Sequence, residues 1–203
     1  MSSKFASYEM ENNLREEGRA FIAGMDEVGR GALAGPMVVA VAVLPTGCDL
    51  KLCDSKLLSR RQRNVLALQL LDQASGFGVG SVSAPEIDQL GLSKALELAA
   101  TRALEHLDSP LSVLIIDGKQ NIFDEDFVLS RVKADRDIAC VAAASILAKV
   151  YRDEIMVGMA DSFPEYGFDK HVGYGTARHI DAISRSGLTN IHRRSFKLKV
   201  SRP

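Results

Sequence analysis

The sequence predicts an α/β fold: a mixed five-stranded sheet flanked by helices, followed by a small C-terminal helical extension. Three observations lead there. Three strand-like segments come first, at Phe21-Ile22-Ala23, 37–44 and 77–83, in the manner of a meander. Helical and strand-like patterns then alternate, as they do where parallel strands are joined by crossover helices. The composition, 46% hydrophobic and 25% charged over 203 residues, is that of an ordinary globular chain able to bury a substantial core. An antiparallel edge joined to parallel strands, with helices on the faces, satisfies all three.

The elements follow in order. Residues 5–19 suit a short charged helix leading into the first strand. Met37 to Leu44 is the longest apolar run; it reads as a buried strand and is too short to span a bilayer. Leu52-Cys53-Asp54-Ser55-Lys56 is a loop, and Ser59 is an N-cap candidate for a helix reaching about Ala74. The segment 77–83 alternates, although its glycines weaken a strand. From Ser93 to Leu107, the residues Leu96, Ala99, Ala100, Ala103, Leu104 and Leu107 fall on one helical stripe, which Pro110 ends. Leu111 to Ile116 reads as a buried strand closing on Asp117-Gly118, and a short strand near 127–132 leads to Lys133-Ala134-Asp135. A long alanine-rich helix covers about 138–159. Residues 164–176 form a loop, and a last helix over about 177–186 is stopped by Gly187.

Charge and cysteine usage narrow the class. The net charge of −1 gives no global basic field, but no acidic residue occurs from Arg185 to Pro203, where Arg185, Arg193, Arg194, Lys197, Lys199 and Arg202 are all basic. This tail is either a solvated surface or a phosphate-contacting patch. Cys48, Cys53 and Cys140 are odd in number and lack CxxC spacing, which fits a reducing compartment; Cys140 lies in the alanine-rich run and suits a small buried residue. Met1 to Ala20 is polar, without the apolar core of a signal peptide, so a soluble cytoplasmic protein is expected.

The chemistry-bearing segment runs from Ala23 to Pro36, where the adjacent carboxylates Asp26 and Glu27 lead into Gly29-Arg30-Gly31. Successive strand side chains point to opposite faces, so the two acids share a site only where the strand ends or bends. The glycines expose backbone amides and Arg30 adds positive charge, so an anionic ligand can approach closely. The plainer possibility is a β-turn with a solvated acidic pair. Asp117 ends an apolar strand, and open α/β sheets bind ligands at the carboxyl ends of their strands. Asp135 reads as a third such position. Four carboxylates, Asp26, Glu27, Asp117 and Asp135, can thus converge at one rim of one sheet. Their mutual repulsion is relieved by a divalent cation, and hard oxygen donors favour Mg²⁺ or Mn²⁺ over zinc.

The chain resembles bacterial ribonuclease HII. The matching segments are Gly24 to Pro36, Asp54-Ser55-Lys56, Ile116-Asp117-Gly118, Lys133-Ala134-Asp135, Ala142 to Asp153, Gly173-Tyr174-Gly175-Thr176 and His192-Arg193-Arg194-Ser195-Phe196. They span most of the chain in order; Ala32 stands where the family often has proline. The resemblance implies a ribonuclease H-like fold and a single catalytic domain over 1–203, with a core at about 20–160 and a substrate-binding extension at 161–203. It implies a metal-dependent endonuclease acting on RNA in RNA–DNA hybrids and on single ribonucleotides embedded in duplex DNA. Cleavage would fall 5′ to the ribonucleotide, leaving 3′-hydroxyl and 5′-phosphate ends, with the removal of misincorporated ribonucleotides and RNA primers as its role. Asp26, Glu27, Asp117 and Asp135 would be the metal-binding catalytic carboxylates of a two-metal mechanism using Mn²⁺ or Mg²⁺. Gly29, Arg30 and Gly31 would contact the 2′-hydroxyl and adjacent phosphate, and Tyr174 would stack on the following sugar. Lys56, Lys149, Arg193 and Arg194 are candidate phosphate contacts, each a surface cation on the simpler reading. Asp54 and Asp153 would either support the metal-binding acids or, on the simpler reading, serve in capping or ion pairs, while His171 and His192 read as loop or surface residues, either able to lie near the substrate, and not as metal ligands. A monomer without membrane association is expected. The related type HIII carries an extra N-terminal domain, and the Gly-Arg-Gly element favours type HII. A non-catalytic nucleic-acid-binding module and a small-molecule phosphotransferase compete with this reading. All four acids are present against the first, and no GxxxxGK[ST] run supports the second.

Overall fold

The computed structural model of the chain describes residues 5–118, 122, 123 and 125–197. Helix α1 (Glu9–Glu16) precedes strands β1 (Ile22–Val28) and β2 (Met37–Val43). Helix α2 (Arg60–Gln73), strand β3 (Gly76–Val82) and helices α3 (Ala84–Leu90) and α4 (Leu92–Glu105) follow. Then come β4 (Val113–Asp117), β5 (Val128–Arg131), α5 (Ala134–Asp137), the long α6 (Ala139–Ser162), α7 (Phe168–His171) and α8 (Ala177–Ser186). The five strands lie in the order β3-β2-β1-β4-β5, antiparallel across β3-β2-β1 and parallel across β1-β4-β5. This is the mixed sheet that the sequence predicts.

Local chemistry accounts for the element ends. Ser59 accepts from the Gln62 amide while the Gln62 side chain returns to the Ser59 amide, a capping box that starts α2. Thr176 caps α8 and Gly187 ends it. Helix α3 is absent from the sequence reading, yet Ser83 and Glu86 form a second capping box and Pro85 occupies the first turn. Helix α7 lies within the segment read as a loop.

Three apolar clusters hold the molecule together. One lies between α6 and the sheet face carrying Val38, Ala40, Ala42 and Ile115; the other face, with Met25, Val39, Val41 and Ile116, is covered by α4. Helix α6 comes unusually close to β1: a Cβ on Gly24 would stand 2.2 Å from the Cys140 carbonyl carbon. Any larger residue at Gly24 would push the helix off the sheet. The third cluster joins Ala34 and Met156 to Tyr166, Phe168, Ala182 and Ile183, docking the C-terminal segment on the last turns of α6. Cys140 is buried, as its alanine-rich surroundings suggest.

Candidate active site

Strand register brings two of the acids together. In the parallel pair β1–β4, Met25 lies beside Ile116. The next residues along the two strands are Asp26 and Asp117, and residues in register on neighbouring parallel strands share a face. Asp26 also lies opposite Ala40, whose side chain belongs to the cluster beneath α6. Both carboxylates are therefore at the carboxyl end of the central strands, on the α6 side. Glu27 lies opposite Val39 and alternates to the other face. Strand β1 continues to Val28, so the acidic pair is inside the strand and not at a bend as the spacing argument supposes. Asp135 likewise does not end a strand. It sits in the first turn of the four-residue α5, after Lys133. Lys133 adopts the left-handed conformation, φ 65°, and turns the Ala134 amide onto Asp117 Oδ1 at 2.7 Å.

Each acid is held by a local partner. Glu27 pairs with Arg30 at 3.4 Å and Asp135 with Lys56 at 3.2 Å. Among the described residues, no three histidine, cysteine, aspartate or glutamate side chains form a group able to hold a metal ion in this arrangement. The charges nevertheless interact. Burial and the neighbouring Glu27 push the Asp26 carboxyl up to about 7, Asp135 adds to the rise, and a hydrogen bond with Ser145 opposes it. Burial works against the Lys56 ammonium, but its hydrogen bond to Asp135 and the charges of Asp135, Asp54 and Asp26 hold its pKa above the ordinary value. A partly buried cluster of hard oxygens that draws in a lysine fits a divalent cation of the Mg²⁺ or Mn²⁺ kind. Arg30 and Lys56 are largely exposed, so the pairs that hold Glu27 and Asp135 are weak and easily released.

The Gly29-Arg30-Gly31 turn divides into a packed and an open half. Gly29 has φ 86°, and a Cβ there would stand 2.2 Å from Arg152 Nε. Nothing lies within 4 Å of where a Gly31 Cβ would be, so its backbone is open to a ligand. Two buried arginines hold the turn from beneath. Arg152 donates to the carbonyls of Pro36 (2.8 Å), Val172 (2.9 Å) and Ala34 (3.1 Å). Arg193 donates to Arg30 O through Nη1 at 3.0 Å and to Gly35 O through Nη2 at 3.0 Å. The Arg193 guanidinium thus faces backbone carbonyls and positions the turn, whereas the sequence reading takes it for a phosphate contact. Arg194 presents an exposed side chain, and its amide donates to Asp88 at 2.8 Å. Lys199 and Arg202 of the basic tail lie outside the described residues.

Tyr174 is half-buried, with the Arg152 guanidinium 5.2 Å and the Lys149 ammonium 5.9 Å from its ring centre. Lys149 in turn pairs with Asp153 at 2.7 Å, and Asp153 also meets Arg63. Asp54 accepts from the Lys56 amide and caps a 3-10 turn over Ser55–Leu57. Behind Tyr174, His171, His179 and His192 are buried together with Tyr166 and Phe168, against the surface placement expected of His171 and His192. The Thr189 amide donates to His192 Nδ1 at 3.0 Å, which places the His192 proton on Nε2, facing His179 Nε2 at 3.1 Å. His179 Nδ1–H then donates to the Tyr174 carbonyl at 3.0 Å. This wiring requires neutral rings, and burial lowers the pKa of His179 and takes that of His192 down to about 4.

The sequence reading missed Arg152 and His179 as supports of the site. Nothing in their neighbours in sequence signals a role, because their partners are backbone carbonyls and rings brought in by the fold.

Comparison with known proteins agrees with this architecture. The family model for ribonuclease HII matches residues 23–199. A ribonuclease HII of Hydrogenovibrio crunogenus is 44% identical over 179 residues, covering 87% of this chain and 86% of the relative. Among solved structures, ribonuclease H2 from Pyrococcus horikoshii OT3 superposes with a TM-score of 0.76 at 27% identity, covering 88% of this chain and 94% of the other. Bst-RNase HIII in complex with Mn²⁺ superposes with a TM-score of 0.65 at 23% identity, covering 83% of this chain and 63% of the other; at that identity it speaks for the fold. Among the described residues, no helix is long and apolar enough to cross a membrane.

Proposed function

The chain belongs to the ribonuclease HII family and is a ribonuclease H hydrolase, and from that premise we propose the reaction it performs. It hydrolyses RNA in RNA–DNA hybrids and incises 5′ to single ribonucleotides embedded in duplex DNA, leaving 3′-hydroxyl and 5′-phosphate ends. The observation that carries this reading is the adjacency of Asp26 and Asp117 at the carboxyl end of the central strands, beside Asp135 and Glu27. Asp26, Glu27, Asp117 and Asp135 would hold Mg²⁺ or Mn²⁺, which supplies charge stabilisation for in-line displacement at a phosphodiester.

The chain's own residues do the rest. Gly31 lets the backbone reach the 2′-hydroxyl, the single group that separates RNA from DNA. Arg30 leaves Glu27 and meets the adjacent phosphate. Lys56, freed from Asp135, Lys149 and Arg194 meet backbone phosphates, and Arg193 acts by holding the turn. Tyr174 stacks on the sugar after the ribonucleotide. Residues 161–203 serve as the substrate-binding extension of a single domain. A cytoplasmic monomer that removes misincorporated ribonucleotides and RNA primers completes the reading.

The test is cleavage of duplex DNA carrying one ribonucleotide, with and without Mg²⁺ or Mn²⁺. Metal-dependent incision 5′ to the ribonucleotide is expected, lost in Asp26→Asn and Asp117→Asn. Incision without metal, or undiminished in either variant, overturns the assignment.

A further inference from the structure

Helix α6 begins without a side-chain cap of its own. Ile138 stands at the N-cap position and offers no acceptor to the first amides, which a helix leaves unbonded. Two of these amides are met by the N-terminal segment. Ala139 donates to the Ser7 carbonyl at 3.0 Å, and Cys140 donates to Glu11 Oε1 at 2.8 Å across 129 residues of sequence. Glu11 is 0% exposed, and burying a carboxylate is costly unless it has a definite partner. Leucine would fill this inward position of α1 without that cost, so packing alone gives no reason for an acid there.

The same segment holds the surroundings of Asp135. Helix α5, which carries Asp135, is a single turn of four residues, too short to hold itself in water. It is fastened at both ends. At its start the Ala134 amide donates to Asp117, and at its end the Asp137 carbonyl accepts from the Ser7 amide at 3.0 Å. Ser7 thus bonds on both sides of Ile138, at the joint between α5 and α6. One residue earlier, the Ala6 amide donates to Leu52 O at 2.8 Å; one residue later, the Tyr8 hydroxyl donates to Leu50 O at 2.9 Å. Residues 50–52 lead into the turn capped by Asp54, whose Lys56 pairs with Asp135. Ala6 to Glu11 therefore fastens both halves of the Lys56–Asp135 pair from outside the site.

We propose that Glu11, together with the backbone of Ala6 and Ser7, is a positioning device for Asp135: it sets the joint between α5 and α6 so that the Asp135 carboxylate is in place to share a divalent cation with Asp26 and Asp117. This inference rests on the ribonuclease HII reading for the identity of the site. Its basis is the buried Glu11–Cys140 bond and the Ser7 bonds to Asp137 and Ala139.

The test compares the parent with Glu11→Leu, Glu11→Gln and Leu70→Ala. Mn²⁺ affinity of the free protein is read by calorimetry, with the melting temperature without metal and cleavage of a duplex carrying one ribonucleotide. Glu11→Leu should fold, since an apolar residue of similar size in place of a buried charge is often neutral or stabilising. It should nevertheless lose about tenfold in Mn²⁺ affinity, the size seen when the support of a metal ligand is removed. The Mn²⁺ concentration for half-maximal cleavage should rise by the same factor. At saturating Mn²⁺, KM for the duplex should stay within about twofold, because Glu11 makes no substrate contact. Glu11→Gln keeps an acceptor for the Cys140 amide and should recover most of the loss. Leu70 is buried in α2 and has no part in the site. Leu70→Ala should melt lower than the parent, yet bind Mn²⁺ like the parent below its melting temperature. Parent-like Mn²⁺ affinity in Glu11→Leu overturns the proposal. An equal loss in Leu70→Ala also overturns it, because the effect is then one of general stability.

Linkage gives a second measurement that needs no variant. If the segment favours the arrangement that binds the cation, the cation favours the segment by the same factor, so saturating Mg²⁺ should slow hydrogen exchange across residues 6–11 and 137–140 of the parent by about tenfold, and more than across α8. This measurement decides if Glu11→Leu fails to fold: Mg²⁺ that binds and leaves exchange there unchanged overturns the proposal. A parent that neither binds Mn²⁺ nor cuts the duplex defeats the functional reading and this inference together. A parent that does both, with Glu11→Leu unaffected, defeats this inference alone.

Discussion

Arg152 donates to the Ala34 carbonyl at 3.1 Å across 118 residues of sequence. The same guanidinium holds Val172 O and Pro36 O, so one buried side chain fastens the segment after the Gly29–Gly31 turn to the segment that carries Tyr174. Gly173 closes the contact from the other side, accepting from the Leu33 amide at 2.8 Å. Two parts proposed to read the ribonucleotide and its neighbour are thereby built as one rigid unit.

Arg152→Met should accordingly destabilise the fold by about 3 kcal/mol or more, since it leaves buried carbonyls without donors. Arg152→Lys keeps the charge but cannot reach the separate carbonyls at once, and should lose somewhat less. Urea unfolding of the three proteins measures both effects. A loss within about 0.5 kcal/mol for Arg152→Met, the size of an ordinary surface change, would contradict the clamp.

The two glycines of the turn should separate stability from function. Gly29→Ala forces a Cβ into Arg152 at a positive φ and should lower the melting temperature markedly. Gly31→Ala meets empty space and should melt like the parent, while losing cleavage because the Cβ occupies the approach of the ribose. Equal behaviour of the two variants in melting and cleavage would argue against this division.

Much of this site is visible in the residues themselves. Asp117 stands out because a carboxylate at the end of an apolar strand has to be exposed, paired or functional, and Asp26 because it and Glu27 run directly into a glycine-flanked turn, although the strand continues past them to Val28. Ser59 announces α2, and the Ser83–Glu86 pair with Pro85 carries the same announcement for α3. Asp135 is harder: nothing in Lys133-Ala134-Asp135 shows that a left-handed Lys133 opens a short helix there. Arg152, Arg193 and the histidines are not legible at all. A buried arginine that serves distant carbonyls has the same sequence surroundings as a solvated one, and only tertiary contact separates them.

Asp26 should make metal-free stability depend on pH. Its carboxyl rises from an ordinary 3.8 to about 7 on folding, so the unfolded chain ionises first as pH increases. Stability from this group is unaffected below about 3.8 and declines as pH rises toward 7, by an amount on the order of a few kcal/mol. Asp26→Asn should therefore melt higher than the parent at pH 8 without metal, and the gain should vanish near pH 4. Added Mn²⁺ should raise the parent more than the variant. An equal melting temperature at pH 8 would show that the carboxylate is not held under this repulsion.

The histidine core acts in the opposite sense. His192 falls from 6.5 to about 4 on folding, so the unfolded chain takes up the proton first as pH decreases. Stability is complete above about 6.5 and is lost as pH falls toward 4, on the order of 3 kcal/mol. His192→Phe, which cannot be protonated, should be less stable than the parent at pH 7.5 for want of the bonds to His179 and Thr189, and the gap should narrow by pH 5. Taking the difference between variant and parent at each pH cancels the Asp26 contribution. A gap that is constant with pH would mean that His192 is protonated as readily in the fold as outside it.

Tyr174 offers the sharpest test of junction reading. Its backbone is fixed on both sides, by the His179 bond to its carbonyl and by the His171 carbonyl that accepts its amide at 3.0 Å. Two cations flank its ring, so a sugar arriving on the open side meets an oriented face. Ring stacking on a base contributes roughly 1–3 kcal/mol in single-strand sites, and stacking on a sugar should contribute less. Tyr174→Ala should lose more kcat/KM on a single embedded ribonucleotide than on a uniform RNA–DNA hybrid, because only the former always presents deoxyribose directly after the cut. Tyr174→Phe keeps the ring face and should stay near the parent on both substrates. The ratio of kcat/KM between the two substrates, in all three proteins, removes any general loss from disturbed packing. An unchanged ratio in Tyr174→Ala would leave discrimination at the junction to the Gly29–Gly31 turn, with the ring serving only to pack against Arg152 and Lys149.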